Sequence, residues 1–318
     1  PVLNGKFIHG MPAFDKAELL DLRRTNLPSA ESVQALSYQS AEEKLQLWHN
    51  RLGHQPIGRI VNAHRRNLIE GMQLPREATM AKHIKGADHP CNTCAVSWRR
   101  RASFKRTDNS AYKGNWAPGE FIVADYQQFL NTPSIHGYIG VWNFTDVATD
   151  KTFTYLCLGR DNFLNAVKQL KSEELDPLER RCKQFRSDSD TAVLTNEVIS
   201  WFIDNGIEQT SSPSDTPEMN CVAERAHAFL YPTTLALLLH GDLPKSFWEY
   251  AYLAASMIKG FSVRDTCVGQ VTSDEAWYGT VPNVKHIRVW GAKAWVQEPR
   301  SAARKDWHPR AVSGRLVG

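Results

Sequence analysis

Phe121-Ile-Val-Ala-Asp125 is a short apolar run closed by an acid, and its reading sets the reading of everything downstream. Such a run predicts a buried strand. Gly137 to Asp146 and Thr152 to Leu158 are aromatic and β-branched, as strands are. Phe163 to Leu175 predicts an amphipathic helix closed by Pro177. Cys182 to Asp188 reads as a fourth strand, Asn196 to Asn205 as a helix capped by Gly206, and Ile207 to Ser212 as a fifth strand. Helices follow around Glu218 to Leu230 and Ser246 to Gly260. Three strands, helix, strand, helix, strand, helix is an α/β order, and a mixed sheet with helices on both faces is its natural outcome.

Upstream the pattern differs. Asp108 to Glu120 holds Asn, Ser, Gly and Pro and reads as a linker. Before it lie two helix candidates, Ala41 to Leu52 and Ile57 to Asn67. The 318 residues suffice for two domains, and a hydrophobic content of 42% permits packed cores. Leu235 to Leu239, the richest apolar stretch, is far too short to span a bilayer. Pro1 to Gly10 lacks the charged start and apolar centre of a signal peptide. An opening Pro1 suggests a fragment or processed product, and Ser313 to Gly318 reads as a strand cut short. The net charge of +4 is compatible with an anionic partner. Arg99, Arg100, Arg101, Lys105 and Arg106 form a run without an acid, either a solvated linker or a phosphate contact.

Of the six cysteines, Cys157, Cys182, Cys221 and Cys267 are scattered singly, which is no disulfide framework. Cys91 and Cys94 are two residues apart, a spacing used for metal or redox chemistry. With His49 and His54 they make two nitrogens and two thiolates, the set that a structural Zn²⁺ prefers. Gly53 suits a helix end there. The 36-residue loop from Gln55 to Pro90 is tolerable because closure cost grows logarithmically. A bound zinc worth roughly 10 kcal/mol would dominate so small a module. His64, His83 and His89 are rival ligands.

Asp125 and Asp188 are read as ending the first and fourth strands, with Glu224 near a helix start. Acids at neighbouring strand ends can converge. Three carboxylates at one point repel, and a pair of Mg²⁺ or Mn²⁺ ions resolves the repulsion. Such a pair, about 3.5–4 Å apart, activates a hydroxyl and stabilises a leaving oxygen at phosphorus. Capping and helix-dipole roles explain each acid equally well when taken singly.

The text around these residues carries more. Leu47-Trp-His-Asn-Arg-Leu-Gly-His54 and Cys91-Asn-Thr-Cys94 resemble the pre-integrase zinc segment of the Pol polyproteins of copia-type long-terminal-repeat retrotransposons. Phe185-Arg-Ser-Asp188 looks like that family's second-aspartate motif. Ser211-Ser-Pro-Ser-Asp-Thr-Pro-Glu-Met-Asn220 with Val222-Ala-Glu-Arg225 is similar to the segment carrying its glutamate. Leu243-Pro-Lys-Ser-Phe-Trp248, Asp274-Glu-Ala-Trp-Tyr-Gly279 and His286-Ile-Arg-Val-Trp-Gly291 continue the match, in order, from about residue 45 onward.

The resemblance implies a ribonuclease H-like core of DDE type that trims DNA 3′ ends and joins them to target DNA. Asp125, Asp188 and Glu224 would hold two Mg²⁺ or Mn²⁺ ions, and His49, His54, Cys91 and Cys94 one zinc. Arg99, Arg100, Arg101, Lys105, Arg106, Asn220 and Arg225 would touch DNA, and a homo-oligomer would assemble on the element's ends. It implies action in the nucleus after a cytoplasmic particle stage. The implied layout is an upstream segment over 1–44, a zinc module over 45–106, a linker over 107–119, the core over 120–265 and an extension over 266–318.

The chain departs from the pattern at several points. Ser189-Asp190 stands in place of Asn-Gly, Cys221 in place of glycine, and His227-Ala228 in place of Asn-Arg. Pro232 is expected to kink or break the helix carrying Glu224 at a cost of about 3 kcal/mol. The rival reading is a catalytically decayed remnant that binds DNA or oligomerises. No Tyr-x-Asp-Asp or Asp-Ser/Thr-Gly sequence occurs, so neither a reverse transcriptase nor a protease site is inferred.

Overall fold

The computed structural model describes residues 6–8, 11–13, 40–79, 91–97, 116–187, 195–211, 217–297 and 311–318. Its centre is a five-stranded sheet of β3 (Phe121–Gln128), β4 (Gly140–Asp146), β5 (Thr152–Cys157), β6 (Gln184–Ser187) and β7 (Glu208–Ser211), in the order β5-β4-β3-β6-β7. β3 pairs antiparallel with β4, and β4 with β5; β6 lies parallel to β3 and β7 parallel to β6. This is the ribonuclease H-like arrangement, a mixed sheet with helices on both faces. A short antiparallel pair, β1 (Lys6–Ile8) with β2 (Met11–Ala13), precedes it in the chain.

Strand alternation sorts the side chains. Ile122, Ala124, Trp142, Phe144, Phe153 and Phe185 pack under α4 (Phe163–Leu170) and α5 (Asn196–Asp204), joined by Phe163 and Phe202. Phe163 and Phe202 stack at 6.4 Å, and Phe185 meets Phe202 edge-on at 5.1 Å. Phe121, Val123 and Val141 face the other way. There they meet α6 (Pro217–Gly241) and α7 (Trp248–Gly260), with Val222 and Ala223 against Phe121 and Val123.

α6 corrects an expectation. It runs unbroken through Pro232 and ends at Gly241, well past Leu230. A proline inside a helix costs about 3 kcal/mol through one lost bond and a ring clash. On either side of it Phe229, Leu230, Leu237 and Leu238 are buried. Each such burial is worth roughly 1.5–3 kcal/mol, so packing outweighs the defect.

Two other expectations change. The segment up to Glu120 is not all linker: Trp116 packs on Phe121 at 5.1 Å, and Gly119 N–H donates to Asp146 Oδ1 at 2.9 Å. The final strand is Ala311–Arg315, paired with Lys293–Gln297, and not Ser313 to Gly318. Beyond it Leu316 donates to Ala292 O and accepts from Gly291 N–H, and Val317 O accepts from Trp290 Nε1.

The N-terminal helices are α1 (Ala41–Arg51) and α2 (Ile57–Arg65). Ser40 and Glu43 close α1 with a capping box, worth about 1 kcal/mol. Leu45, Trp48, Leu52, Ile60 and Val61 share one apolar cluster with Phe261, Val284 and Ile287 from the far end of the chain. Glu70 N–H donates to Pro282 O, and Val284 N–H to Glu70 O, each at 2.9 Å.

Candidate metal centre and active site

His49 sits in the last turn of α1. Gly53 and His54 follow with φ of 60° and 63°, two consecutive left-handed residues. Glycine takes that conformation freely, and histidine is one of the few other residues that tolerates it. The resulting turn, closed by His54 N–H to His49 O at 2.8 Å, folds His54 back over α1. Its Nδ1 then lies 3.2 Å from His49 Nε2. Cys91 and Cys94 come from the start of α3 (Asn92–Ser97). Cys94 Sγ is 3.2 Å from His49 Nε2 and 3.7 Å from His54 Nδ1, and Cys91 Sγ is 3.5 Å from His54 Nδ1.

Four donors on one tetrahedral ion with bonds of about 2.0–2.3 Å stand roughly 3.3–3.8 Å apart. The four contacts just given, 3.2–3.7 Å, are close to that spacing, and all four atoms lie within 4.8 Å of one another. Among the described residues it is the one group of three or more potential ligands so assembled. His64 stays outside it, and His83 and His89 lie outside the described residues.

The protonation states fit a divalent cation. His49 Nδ1 is 2.8 Å from Gln55 O. A carbonyl only accepts, so Nδ1 carries the proton and Nε2 keeps its lone pair for the site. Burial holds His49 below the usual histidine range and, with His49 and His240 nearby, pulls His54 down to about 3. Burial, reinforced by Cys91, pushes the Cys94 thiol up to about 12. A divalent cation bound here would meet neutral imidazoles and would have to displace the thiol protons.

Asp125 does not end its strand. β3 continues through Tyr126, Gln127 and Gln128, which pair with Trp142, Val141 and Gly140. Asp125 lies opposite Asn143 and shares the α6-facing side with Phe121 and Val123. Asn143 donates to Tyr252 Oη at 2.9 Å and accepts from Thr154 Oγ1 at 2.9 Å. Thr154 Oγ1 in turn bonds Ser256 Oγ at 3.0 Å, so a polar chain ties α7 to the sheet beside the acid. Burial pushes the Tyr252 phenol well above its usual range, and the charge of Asp125 adds to the effect. Glu224 is exposed on α6, two turns in rather than near the start, directly after Val222 and Ala223. Two of the three expected acids thus belong to one side of the sheet. Asp188 follows Ser187, the last residue of β6, and lies outside the described residues.

The retrovirus-related Pol polyprotein from transposon TNT 1-94 of Nicotiana tabacum is 24% identical over 89% of the chain. Those from transposons RE1 and RE2 of Arabidopsis thaliana are each 24% identical over 90%. The chain is similar to retrotransposon Pol polyproteins. It spans only a small part of these relatives, 20% of the first and 18% of each of the others. No family model matches it. Two solved structures align with about half of the chain. One is the catalytic core domain of BIV integrase, 17% identical over 51% of this chain and 95% of that one, with a TM-score of 0.37. The other is the HTLV-2 integrase catalytic core domain in complex with magnesium, 12% identical over 51% and 97%, with a TM-score of 0.39.

Several expected site residues fall outside the described residues: Arg99, Arg100, Arg101, Lys105, Arg106 and, for its side chain, Asn220. Arg225 is exposed beside Glu224. Sequence reasoning missed Asn143, Tyr252 and the two residues that touch the quartet's histidines, Gln55 and His240. Gln55, whose carbonyl orients His49, is an unremarkable polar residue in the text. His240 packs edge-on to His54 with ring centroids 4.9 Å apart, yet lies 186 positions away in the sequence.

Proposed function

We propose that this chain is the integrase segment of a retrotransposon Pol polyprotein, a metal-dependent enzyme that processes DNA 3′ ends and joins them to target DNA. The observation that carries the reading is Asp125 on the central strand, on the face that α6 crosses with Glu224. Asp188, next in the chain after β6, supplies the third carboxylate. These acids would hold two Mg²⁺ or Mn²⁺ ions, which when bound activate a hydroxyl and stabilise a leaving oxygen. Tyr252, held protonated by burial, and Asn143 brace the sheet beside Asp125. The His/Cys quartet would hold one structural Zn²⁺. DNA ends, a target duplex and further copies of the chain are the proposed partners, and the nucleus is the proposed site of action. The units proposed from sequence are 45–106 and 120–265. Among the described residues no helix is long and apolar enough to cross a membrane.

Purified protein incubated with a labelled duplex bearing the element's terminal sequence, in Mn²⁺ or Mg²⁺, tests the reading. Nicked and joined products that vanish in an Asp188→Asn variant support an active integrase. DNA retention without cleavage in both proteins, with zinc bound, favours instead a non-catalytic DNA-binding remnant. Ser189-Asp190 and Cys221 are the departures that motivate that second reading.

A further inference from the structure

The quartet does not stand apart from the core. Each segment that carries a ligand touches α6 or α7. The turn before His54 meets both: a Cβ at Gly53 would lie 2.8 Å from Thr233 Cγ2 and 2.9 Å from Ile258 Cδ1. Gln55, whose carbonyl orients His49, reaches Ile258 O with its own Nε2 at 3.4 Å. The helix bearing Cys94, α3, packs along α6. His54 meets His240, on the last turn of α6, edge-on.

The His54 contact has a specific chemistry. Nδ1 faces the other ligands, so a coordinated His54 carries its proton on Nε2. That Nε2 is buried and has no hydrogen-bond partner among the described residues. The neighbouring His240 ring packs edge-on against the His54 imidazole, with ring centroids 4.9 Å apart. Coordination polarises the imidazole N–H and strengthens whatever it points at.

We propose that the metal held by His49, His54, Cys91 and Cys94 clamps the C-terminal half of α6 through His240 and Thr233, and α7 through Gln55 and Ile258, making His240 a positioning residue for the helix that carries Glu224. The inference rests on the quartet binding a metal and deepens the role of that site. The metal tethers three pieces of chain around the end of α6, and removing it frees that end first. The helices on the opposite face of the sheet share none of these contacts.

Hydrogen exchange read by mass spectrometry on the full chain, zinc-loaded against zinc stripped by a chelator, tests this. The expected result is exchange at least tenfold faster over residues 233–241 and 255–260, with 163–170 and 196–204 unchanged. His240→Ala keeps one zinc per chain, checked by metal analysis and by the absorption of a Co²⁺ substitute, yet speeds exchange over 233–241. His240→Phe, which retains a ring against His54, restores it. Changes confined to residues 40–97, or spread equally over both faces of the sheet, overturn the clamp. So does a His240→Ala protein indistinguishable from wild type. A wild-type protein that holds no zinc removes the metal reading and the clamp with it, whereas full zinc without a change in α6 removes the clamp alone.

Discussion

Gly53→Ala is the substitution whose cost the structure specifies best. Two independent penalties meet there. The backbone holds φ at +60°, where a Cβ costs an L-residue about 1–2 kcal/mol. The new methyl also stands 2.8 Å from Thr233 Cγ2 and 2.9 Å from Ile258 Cδ1, both closer than carbon atoms approach. Overpacking of this kind costs about 1–3 kcal/mol. The expected destabilisation is therefore about 2–5 kcal/mol, read by urea unfolding of the zinc-loaded protein. The two parts separate by trimming the neighbours. Thr233→Ser removes Cγ2 and Ile258→Val removes Cδ1, leaving Ile258 Cγ2 at an acceptable 3.4 Å. In that background Gly53→Ala loses only the backbone share, so the cycle shows a coupling of about 1–3 kcal/mol. A full loss that persists unchanged in the trimmed background refutes the close seating of the His54 turn on α6 and α7.

Asp125→Asn keeps the side-chain shape but removes the charge, and joining of labelled DNA ends in Mn²⁺ is expected to fall at least about 100-fold with the circular dichroism spectrum unaltered. Lys259→Met removes one of two cations beside the buried carboxylate of Asp150, whose Oδ2 lies 3.2 Å from the Lys259 ammonium and 3.5 Å from Arg264 Nε, and costs about 1.5–3 kcal/mol at pH 7. Burial pulls Lys259 down to about 8 despite Asp150, against an ordinary value of 10.5. The unfolded chain therefore holds more protons between those values, and wild-type stability gains from this group as pH rises from 8 to 10.5. Urea unfolding at pH 7.5, 9 and 10 should show that contribution in wild type and not in the variant; parallel pH profiles would contradict it. Pro232→Ala restores a backbone donor inside α6 and is expected to raise stability by about 1–3 kcal/mol, a gain that thermal unfolding detects. A loss would show that the proline's own packing matters more than the missing bond.

The order of strands and helices was legible because each element is locally consistent: apolar runs for the sheet, three- and four-residue spacing for the helices. Spacing offered the quartet with His64, His83 and His89 as rivals, and it is the fold that groups His49, His54, Cys91 and Cys94. What stayed hidden depended on distant partners. The strand through Asp125 looked shorter because Tyr126-Gln-Gln128 carries no apolar alternation, yet β4 supplies its bonds as far as Gly140. α6 looked broken because a proline's cost is local, whereas the burial that offsets it comes from the sheet and α7. The shared core of Trp48 and Ile60 with Phe261 and Ile287 joins residues some 200 positions apart, and no window of sequence holds both. Asn143, Tyr252 and His240 became visible only once the sheet and helices had brought them beside Asp125 and His54.

The sheet supplies a reason for the acidic site that does not depend on resemblance. β3 is where the sheet changes sense, antiparallel to β4 on one edge and parallel to β6 on the other. Its described pairing with β6 stops at Val123, while its pairing with β4 runs on to Gln128. Asp125 thus sits just past the last described β6 partner. Crevices at such switch points, outside the carboxyl ends of parallel strands, are where α/β sheets bind ligands. The chain leaves β6 at Ser187 and β7 at Ser211, both at carboxyl ends. Those departures fall within Phe185-Arg-Ser-Asp188 and at the head of Ser211-Ser-Pro-Ser-Asp-Thr-Pro-Glu-Met-Asn220. Three motifs widely separated in sequence therefore enter the same end of one sheet. At its other end α6 is held by the His54 turn and α3. In the proposed reading α6 carries Glu224 in its N-terminal half and meets the His54 turn near its C-terminal end, so one helix joins the two candidate metal sites.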